Sequence, residues 1–300
     1  MSAPSVAIPA DTDAVEGASP RSFWRTVRTT PEGRVGLAIG VLALVVIVFG
    51  PYLAPFGPSE LATGPALERP SRDHLLGTDQ LGRDVLSRFL YGGRTVLLAP
   101  LAAVTLSFLL GGTLGLFGAY RQGRADAVIT RGFDLLITLP ALLIALVLIT
   151  GVGTSWTTVV VVVALVFTPR VGRVVRGAAQ GVVSNDYILA AQARGERTRW
   201  ILGRELLPNA VGPIIANYCL FLTYGIIFVS TLSFLGLGAR PPSSEWGLMV
   251  ADSRALITAN PWPTLAPTVG IAALSISFTL LGAAAARHLT RESASGSVPL

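Results

Sequence analysis

The residue types that most often carry catalysis or bind metals are scarce in this sequence. It has two histidines, His74 and His288, and one cysteine, Cys219, and all three are far apart along the chain. Cys219 also lies within an apolar run, so neither a disulfide framework nor a His/Cys metal site is indicated. A nucleophile with its general base is equally hard to assemble. We therefore expect no covalent chemistry in this chain.

The basic residues set a second limit. All 23 of them are arginine, and the sequence contains no lysine. A P-loop needs a lysine to contact the nucleotide phosphates. The chain is therefore not expected to bind and hydrolyse ATP in that way, and we expect it to hold no cofactor of its own.

The composition indicates a membrane protein. Of the 300 residues, 51% are hydrophobic and 13% are charged, and one soluble core cannot bury so many apolar side chains. The net charge of +6 would suggest nucleic acid as a partner of a soluble protein. The position of the charges, described below, indicates a lipid bilayer instead and no nucleic acid.

Six apolar segments are candidates to cross a hydrocarbon core of about 30 Å. They cover residues 35–54, 95–119, 133–152, 156–175, 210–236 and 262–286. The fourth has only 13 uncharged residues before Pro169 and Arg170, so we expect its helix to continue beyond the lipid. The sequence thus predicts an all-α, polytopic membrane protein with six transmembrane helices.

Arginine is distributed unevenly between the two sides of these spans. With the N-terminus in the cytoplasm, the cytoplasmic segments carry 16 arginines and the opposite segments carry 7, which are balanced by 7 acidic residues. This is the positive-inside pattern. We therefore predict a multi-pass protein of the cell (inner) membrane with both termini in the cytoplasm.

The predicted spans and their orientation divide the chain into cytoplasmic, membrane and extracytoplasmic segments. Residues 1–34 form a predicted cytoplasmic segment, whose first 20 or so residues are expected to be disordered. The other predicted segments are an extracytoplasmic loop with an amphipathic helix (55–94), a core of five further spans (95–286) that includes a cytoplasmic elbow (184–208) and an extracytoplasmic loop (237–261), and a cytoplasmic tail (287–300).

The elbow has the composition of two short helices joined at a glycine. Its first residues, Ser184, Asn185 and Asp186, are types that cap helix N-termini. Gly195 is placed to end the first helix, and Pro208 is predicted to end the second before the next span.

Small side chains on the elbow would let a partner protein approach closely. Ala190, Ala191 and Gly195 supply them, and Tyr187 offers a rigid aromatic anchor. An amphipathic segment lying on lipid headgroups has a similar composition, so composition alone leaves both interpretations open.

The elbow resembles the EAA loop of permeases from binding-protein-dependent ABC importers. The spacing of that loop is matched by YILAAQARG, which is followed by nine residues, then Glu205, and then Leu207-Pro208. Two residues differ: Leu189 stands where the loop has Glu, and Glu205 where it has Ile. In the family this loop is the coupling helix that binds in a groove of the ATP-binding subunit. The resemblance assigns this role to Asp186, Tyr187, Ala190, Ala191 and Gly195, with Leu207 and Pro208 at the exit.

Two outer segments resemble the dipeptide, oligopeptide and nickel branch of that family. Residues 74–88, HLLGTDQLGRDVLSR, follow its HxLGTDxLGRDxLSR stretch, and residues 232–249, LSFLGLGARPPSSEWGLM, its segment after the fifth span. The first gives candidate scaffold or docking residues Gly77, Thr78, Asp79, Gly82, Arg83, Asp84 and Arg88. The second gives Phe234, Leu235, Gly236, Gly238, Trp246 and Gly247.

The residues themselves predict some local structure in these segments. Gly77 to Asp79 is predicted to be a turn and helix N-cap, followed by an apolar stripe of Leu81, Val85 and Phe89 at helical spacing. Asp134, at the inner end of the third span, is predicted to be solvated or paired with Arg131.

The resemblance implies a type I ABC importer permease fold and the C-type subunit of a heterodimer. Its implied partners are a sister permease, two ATP-binding subunits that hold ATP and Mg²⁺, and an extracytoplasmic solute-binding protein. Di- or oligopeptides are the implied solutes, with nickel or another small solute as the alternative. A secondary transporter fits the sequence less well, because its spans would need ionisable groups and these spans contain few. An intramembrane enzyme also fits less well, because it would need a nucleophile with a base or a metal set.

Overall fold

The computed structural model describes the backbone of residues 27–295 and side chains as far as Arg287. The first 20 residues, which are predicted to be disordered, lie outside the described residues. So do the end of the tail and the His288 side chain. Within 27–295 the chain is helical, and β-pairing is limited to an isolated bridge between Thr78 and Asp84.

The helices are numbered here in chain order. They are α1 (Pro31–Leu53), α2 (Val85–Arg121), α3 (Gly123–Thr138), α4 (Ala141–Val152), α5 (Trp156–Val183), α6 (Asp186–Ala193), α7 (Thr198–Trp200), α8 (Leu207–Phe234), α9 (Trp246–Ser253) and α10 (Trp262–Ser295). A π-helical turn (Ile201–Leu206) joins α7 to α8, and a 3₁₀ turn (Arg254–Leu256) follows α9.

Five segments of the described chain are long and apolar enough to cross a membrane: α1, α2, α5, the α7–α8 unit and α10. A sixth span is obtained when α3 and α4 count as one, but these helices meet at an angle of 84°. The predicted third span, residues 133–152, therefore corresponds to the end of α3 and the whole of α4, and it is bent. Pro140 explains the break, because it holds Leu139 in an extended conformation.

The second span differs from its predicted form. The amphipathic helix expected in the outer loop is the first part of α2, which continues without a break to Arg121. Its N-cap is Asp84, whose Oδ2 accepts a hydrogen bond from the Ser87 amide at 2.7 Å. The predicted cap at Gly77 to Asp79 was wrong, and Leu81 lies exposed before the helix.

Glycines bring α2 and α5 into close contact along the centre of the bundle. A Cβ on Gly111 would overlap the Thr168 carbonyl, and one on Gly115 would overlap the Gly172 carbonyl. Backbone therefore lies against backbone here, which is the close packing that small residues allow between membrane helices. The helix of α5 also continues past Pro169 to Val183, as expected.

Replacing Gly111 with valine should weaken this contact. The added side chain would have to push α2 away from the backbone of α5, and overpacking of this kind costs about 1–3 kcal/mol. The measurement is the unfolding midpoint of the purified protein in detergent, with Gly132→Val as the control because nothing lies within 4 Å of a Cβ there. Equal midpoints for the two variants would contradict the close packing.

The long helices separate two ends of the molecule. The C-terminal end of α2, at Tyr120, packs against the elbow helix α6. The N-terminal end of α2 packs on residues 56–79 and on α9 through Phe89 and Trp246. The elbow and the outer loop therefore lie at opposite ends of the bundle.

Candidate functional site

The elbow helix α6 is bounded by the residues that the sequence indicates. Asn185 is its N-cap, in extended conformation, and Asp186 adds a negative charge to the first turn. Gly195 follows the helix with a φ of +72°, a conformation that favours glycine, and its amide donates to the Gln192 carbonyl at 2.9 Å. The predicted helix end at Gly195 is confirmed.

One face of α6 packs on its own chain. Ile188 and Ala191 are fully buried and cluster with Ile201, and Tyr120 of α2 packs against this cluster. Ala191 was predicted to face a partner protein, and this was wrong. Its small side chain instead lets α6 lie close to the π turn.

The rest of α6 is exposed and includes apolar side chains. Tyr187 is 39% exposed, Leu189 51%, and the neighbouring Trp200 45%. The Arg204 guanidinium lies 3.9 Å from the centre of the Trp200 ring, which holds that ring in place. With Ala190 and Gly195 also exposed, α6 presents aromatic and small residues together at one end of the bundle.

The exit of the elbow is continuous with the next span. Pro208 does not end a helix as predicted, because the chain passes from α7 through the π turn into α8 without a loop. The wider π turn accommodates the proline, and the Asn209 side chain donates to the Glu205 carbonyl at 2.6 Å. Leu207 and Pro208 are exposed within this joint.

A buried ion cluster stabilises the outer loop. Asp79 is 2% exposed and accepts hydrogen bonds from Arg83 Nε at 2.7 Å and from Arg88 Nη1 at 2.6 Å. Its Oδ1 also accepts from the backbone amides of Leu81 and Arg83. One carboxylate therefore pairs with two buried guanidinium groups and closes a turn.

The other matched residues of this loop are buried with the cluster. Gly77 and Gly82 have φ values of +72° and +67°, and Thr78 donates to the Pro65 carbonyl and accepts from the Glu68 amide. Because Thr78, Asp79, Arg83, Asp84 and Arg88 are all buried, they form a scaffold. The alternative prediction was that these residues form a docking surface. Their burial does not support it.

His74 and Asp84 form a second buried pair in the outer loop. His74 Nδ1 lies 3.0 Å from Asp84 Oδ1, its Nε2 lies 3.2 Å from the Thr63 carbonyl, and its ring stacks on Phe56. Burial by itself lowers the pKa of His74, but the hydrogen bond and charge of Asp84 outweigh it and raise the pKa above its ordinary value.

The pair should make the stability of the outer loop depend on pH. Because the pKa of His74 is higher in the folded state, its stabilisation is complete below about pH 6.5 and is lost as the pH rises through the folded pKa. We expect the difference in melting temperature between the native protein and His74→Gln to be larger at about pH 5.5 than at about pH 8.5. A difference independent of pH would contradict a charged pair.

A family model for the inner membrane component of binding-protein-dependent transport systems matches residues 78–291. The chain belongs to this family. It is a transmembrane permease subunit of an ABC importer. The matched range includes the elbow and all of the scaffold residues except Gly77, which directly precedes it.

The alignments with similar proteins cover nearly the whole chain. The dipeptide transport system permease protein DppC of Alkalihalophilus pseudofirmus is 33% identical over 275 residues, 91% of this chain and 90% of that protein. The glutathione transport system permease protein GsiD of Pectobacterium atrosepticum is 36% identical over 266 residues, 87% of each.

A solved structure supports the predicted fold. The MetNI methionine ABC transporter, in an inward-facing conformation, has a TM-score of 0.53 at 15% identity, and the match covers 68% of this chain and 96% of that one. The all-α ABC importer permease fold is therefore confirmed.

The segment after the fifth span of the permease is a packed corner. Trp246 is buried, stacks on Phe89 with ring centres 4.8 Å apart, and donates from Nε1 to the Phe89 carbonyl at 2.8 Å. Gly247 lies against the Ser230 carbonyl and Gly238 against Ser233. Phe234, Leu235 and Gly236 form the exposed end of α8.

Sequence reasoning missed two ion pairs of the permease. Asp134 pairs with Arg173 of α5 and not with Arg131, although its side chain is half exposed, as the alternative prediction of a solvated group has it. Asp126 accepts two hydrogen bonds from Arg176, at 2.5 and 2.6 Å. These partners are far apart in sequence, and only the packing of α3 on α5 brings them together.

Proposed function

We propose that this permease forms half of the translocation pathway of an importer for di- and oligopeptides. It pairs with a sister permease in the inner membrane and acts with two ATP-binding subunits, which bind ATP and Mg²⁺. An extracytoplasmic solute-binding protein delivers the peptide. The exposed aromatic face of the elbow is the observation that carries the coupling part of this proposal.

The shape of the elbow is suited to transmitting force. Its exposed face offers Tyr187 and Leu189 to a groove on an ATP-binding subunit. Its buried face is anchored by Ile188 and Ala191 on Ile201, at the start of the π turn. Because that turn is continuous with α8, a pull on α6 would tilt a spanning helix directly and switch the pathway between its two sides.

The charge distribution supports a cytoplasmic elbow. Sixteen of the 23 arginines lie on the side of the elbow and the termini, which is the side that the positive-inside rule assigns to the cytoplasm. The outer loop, with its buried scaffold, then faces the solute-binding protein. Docking on this side would use the exposed surface around the scaffold.

Peptides are the favoured solute because the named relatives transport them. DppC proteins are named for dipeptides, the Pseudomonas aeruginosa relative, 34% identical, for di- and tripeptides, and GsiD for glutathione, itself a tripeptide. Nickel stays the alternative, since it belongs to the branch that the sequence resembles.

Uptake measurements test the proposed solute. Cells that lack this permease but keep the other subunits should not accumulate a radiolabelled dipeptide, and the native chain should restore uptake. Accumulation of radioactive nickel is measured in the same cells. Restoration of nickel uptake without dipeptide uptake would reject the peptide proposal.

A further inference from the structure

A cleft lies at the outer end of the bundle, away from the elbow. Its volume is about 330 Å³, within the size range of small-molecule sites. It is formed where α2, α5 and α8 meet the segment before α9, and its mostly apolar lining includes hydroxyl groups, one guanidinium group and one carboxyl group. The lining residues that carry the argument are Thr95, Thr154, Trp156, Ser233, Arg240 and Glu245.

Glu245 is the unusual member of this lining. Its side chain is 1% exposed, and its Oε2 accepts from the Leu248 amide at 2.9 Å, which caps α9. Its Oε1 has no hydrogen-bond partner among the described residues. Burial raises the pKa of the Glu245 carboxyl. A buried carboxyl oxygen in this position gains most from a cation that brings its own hydrogen-bond donors.

Arg240 supplies the opposite charge in the same cleft. It is exposed, and its Nη2 donates to the neutral Thr154 hydroxyl at 3.0 Å. A guanidinium group has five N–H donors in a planar fork that suits a carboxylate. Among the described residues, no ion pair is formed by Arg240 or Glu245.

The cleft continues in both directions along one face of α2. A smaller cleft towards the outer loop shares Thr95 and Ser243 with it. An apolar cleft that shares Trp156 follows Leu98, Ala102, Thr105 and Leu109 of α2. These positions repeat every three or four residues and so lie on one helical face. The cleft that contains Glu245 and Arg240 therefore connects the outer loop with an apolar surface that runs along the span.

We propose that this outer cleft is a subsite for the charged ends of a peptide in transit, where Glu245 binds the N-terminal ammonium group and Arg240 the C-terminal carboxylate. This rests on the proposed peptide transport. A divalent metal ion fits less well, because Arg240 repels it and no group of three His, Cys, Asp or Glu side chains in the described part of the chain is arranged to hold a metal.

Peptide binding to the assembled importer tests the subsite. The complex of permeases and ATP-binding subunits, without the solute-binding protein, is placed in lipid nanodiscs, and the affinities of Ala-Ala, N-acetyl-Ala-Ala and Ala-Ala amide are compared. We expect the native complex to prefer free Ala-Ala. Glu245→Gln should weaken Ala-Ala about tenfold, the cost of one charged hydrogen bond, and leave the N-acetylated peptide unaffected.

Arg240→Gln should have the complementary effect, weakening Ala-Ala and leaving the amide unaffected. Gln at position 245 retains an oxygen to cap α9, and Asp252→Asn and Arg254→Gln serve as controls at the same end of the bundle but outside the cleft. Equal weakening of free and blocked peptides, or no binding of Ala-Ala to the native complex, would overturn the subsite.

Two further outcomes separate this inference from the proposed function. If cells import Ala-Ala but the variants do not distinguish free from blocked peptides, the subsite is wrong and peptide transport stands. If Glu245→Gln separates the two permeases, Glu245 pairs with a cation of the neighbouring subunit, and the subsite is again wrong. Absence of dipeptide uptake by the native importer would instead reject the proposed function.

Discussion

Replacing Asp79 with alanine should prevent the permease from folding stably. The carboxylate forms ion pairs with both Arg83 and Arg88, whose side chains are 5% and 2% exposed. Its loss would leave two buried guanidinium groups without an anion, and breaking one such pair costs about 3–5 kcal/mol. Because whole domains are stable by only about 5–15 kcal/mol, we expect little folded protein after membrane extraction.

The yield of monodisperse protein and its unfolding midpoint measure this effect. Asp73→Ala is the matched control, since Asp73 is an exposed carboxylate in the same loop. A double variant that also replaces Arg88 with methionine should recover part of the yield, because an apolar side chain in that position needs no anion. Normal yield for Asp79→Ala would show that the buried pairs do not stabilise the loop.

Replacing Gly195 with arginine should uncouple transport from the ATP-binding subunits. No atom lies within 4 Å of a Cβ at this position, so the new side chain would project from the exposed elbow towards the docking partner. The φ of +72° adds about 1–2 kcal/mol of local backbone strain. We expect normal insertion, loss of ATP-binding subunits from the purified complex, and loss of uptake.

Gly195→Ala separates strain from obstruction. Alanine has the same unfavourable φ but almost no bulk, so it should retain most of the transport, whereas Arg124→Ala, away from the elbow, should change little. Equal loss in Gly195→Ala and Gly195→Arg would assign the effect to strain. Normal transport by Gly195→Arg would reject α6 as the coupling helix.

The continuity of the elbow with α8 changes how coupling is understood for this permease. A helix boundary at Pro208, as the sequence predicts, would absorb part of any movement of α6. The π turn instead passes movement to α8, and α8 ends at Phe234, close to Ser233 in the lining of the outer cleft. One rigid element thus joins the proposed ATPase contact to the proposed peptide subsite.

The amino-acid sequence was enough to predict the membrane character, the approximate spans and the elbow. These follow from long apolar runs, from arginine placement and from local signals such as Asn185 and Gly195, each of which acts over a few residues. The break at Pro140 also had a local signal, the proline itself. The helix boundary at Pro208 was misjudged because a π turn is not visible in residue composition.

What each side chain of the candidate sites faces depends on how the helices pack. Asp79, Arg83 and Arg88 look like surface residues in sequence, but they are buried together in ion pairs. Ala191 is buried against its own chain, and Asp134 pairs with Arg173 and not with Arg131. Glu245 and Arg240 line one cleft because α2, α5 and α8 meet the segment before α9 there. Burial and long-range pairing depend on how helices pack, and no local pattern encodes that.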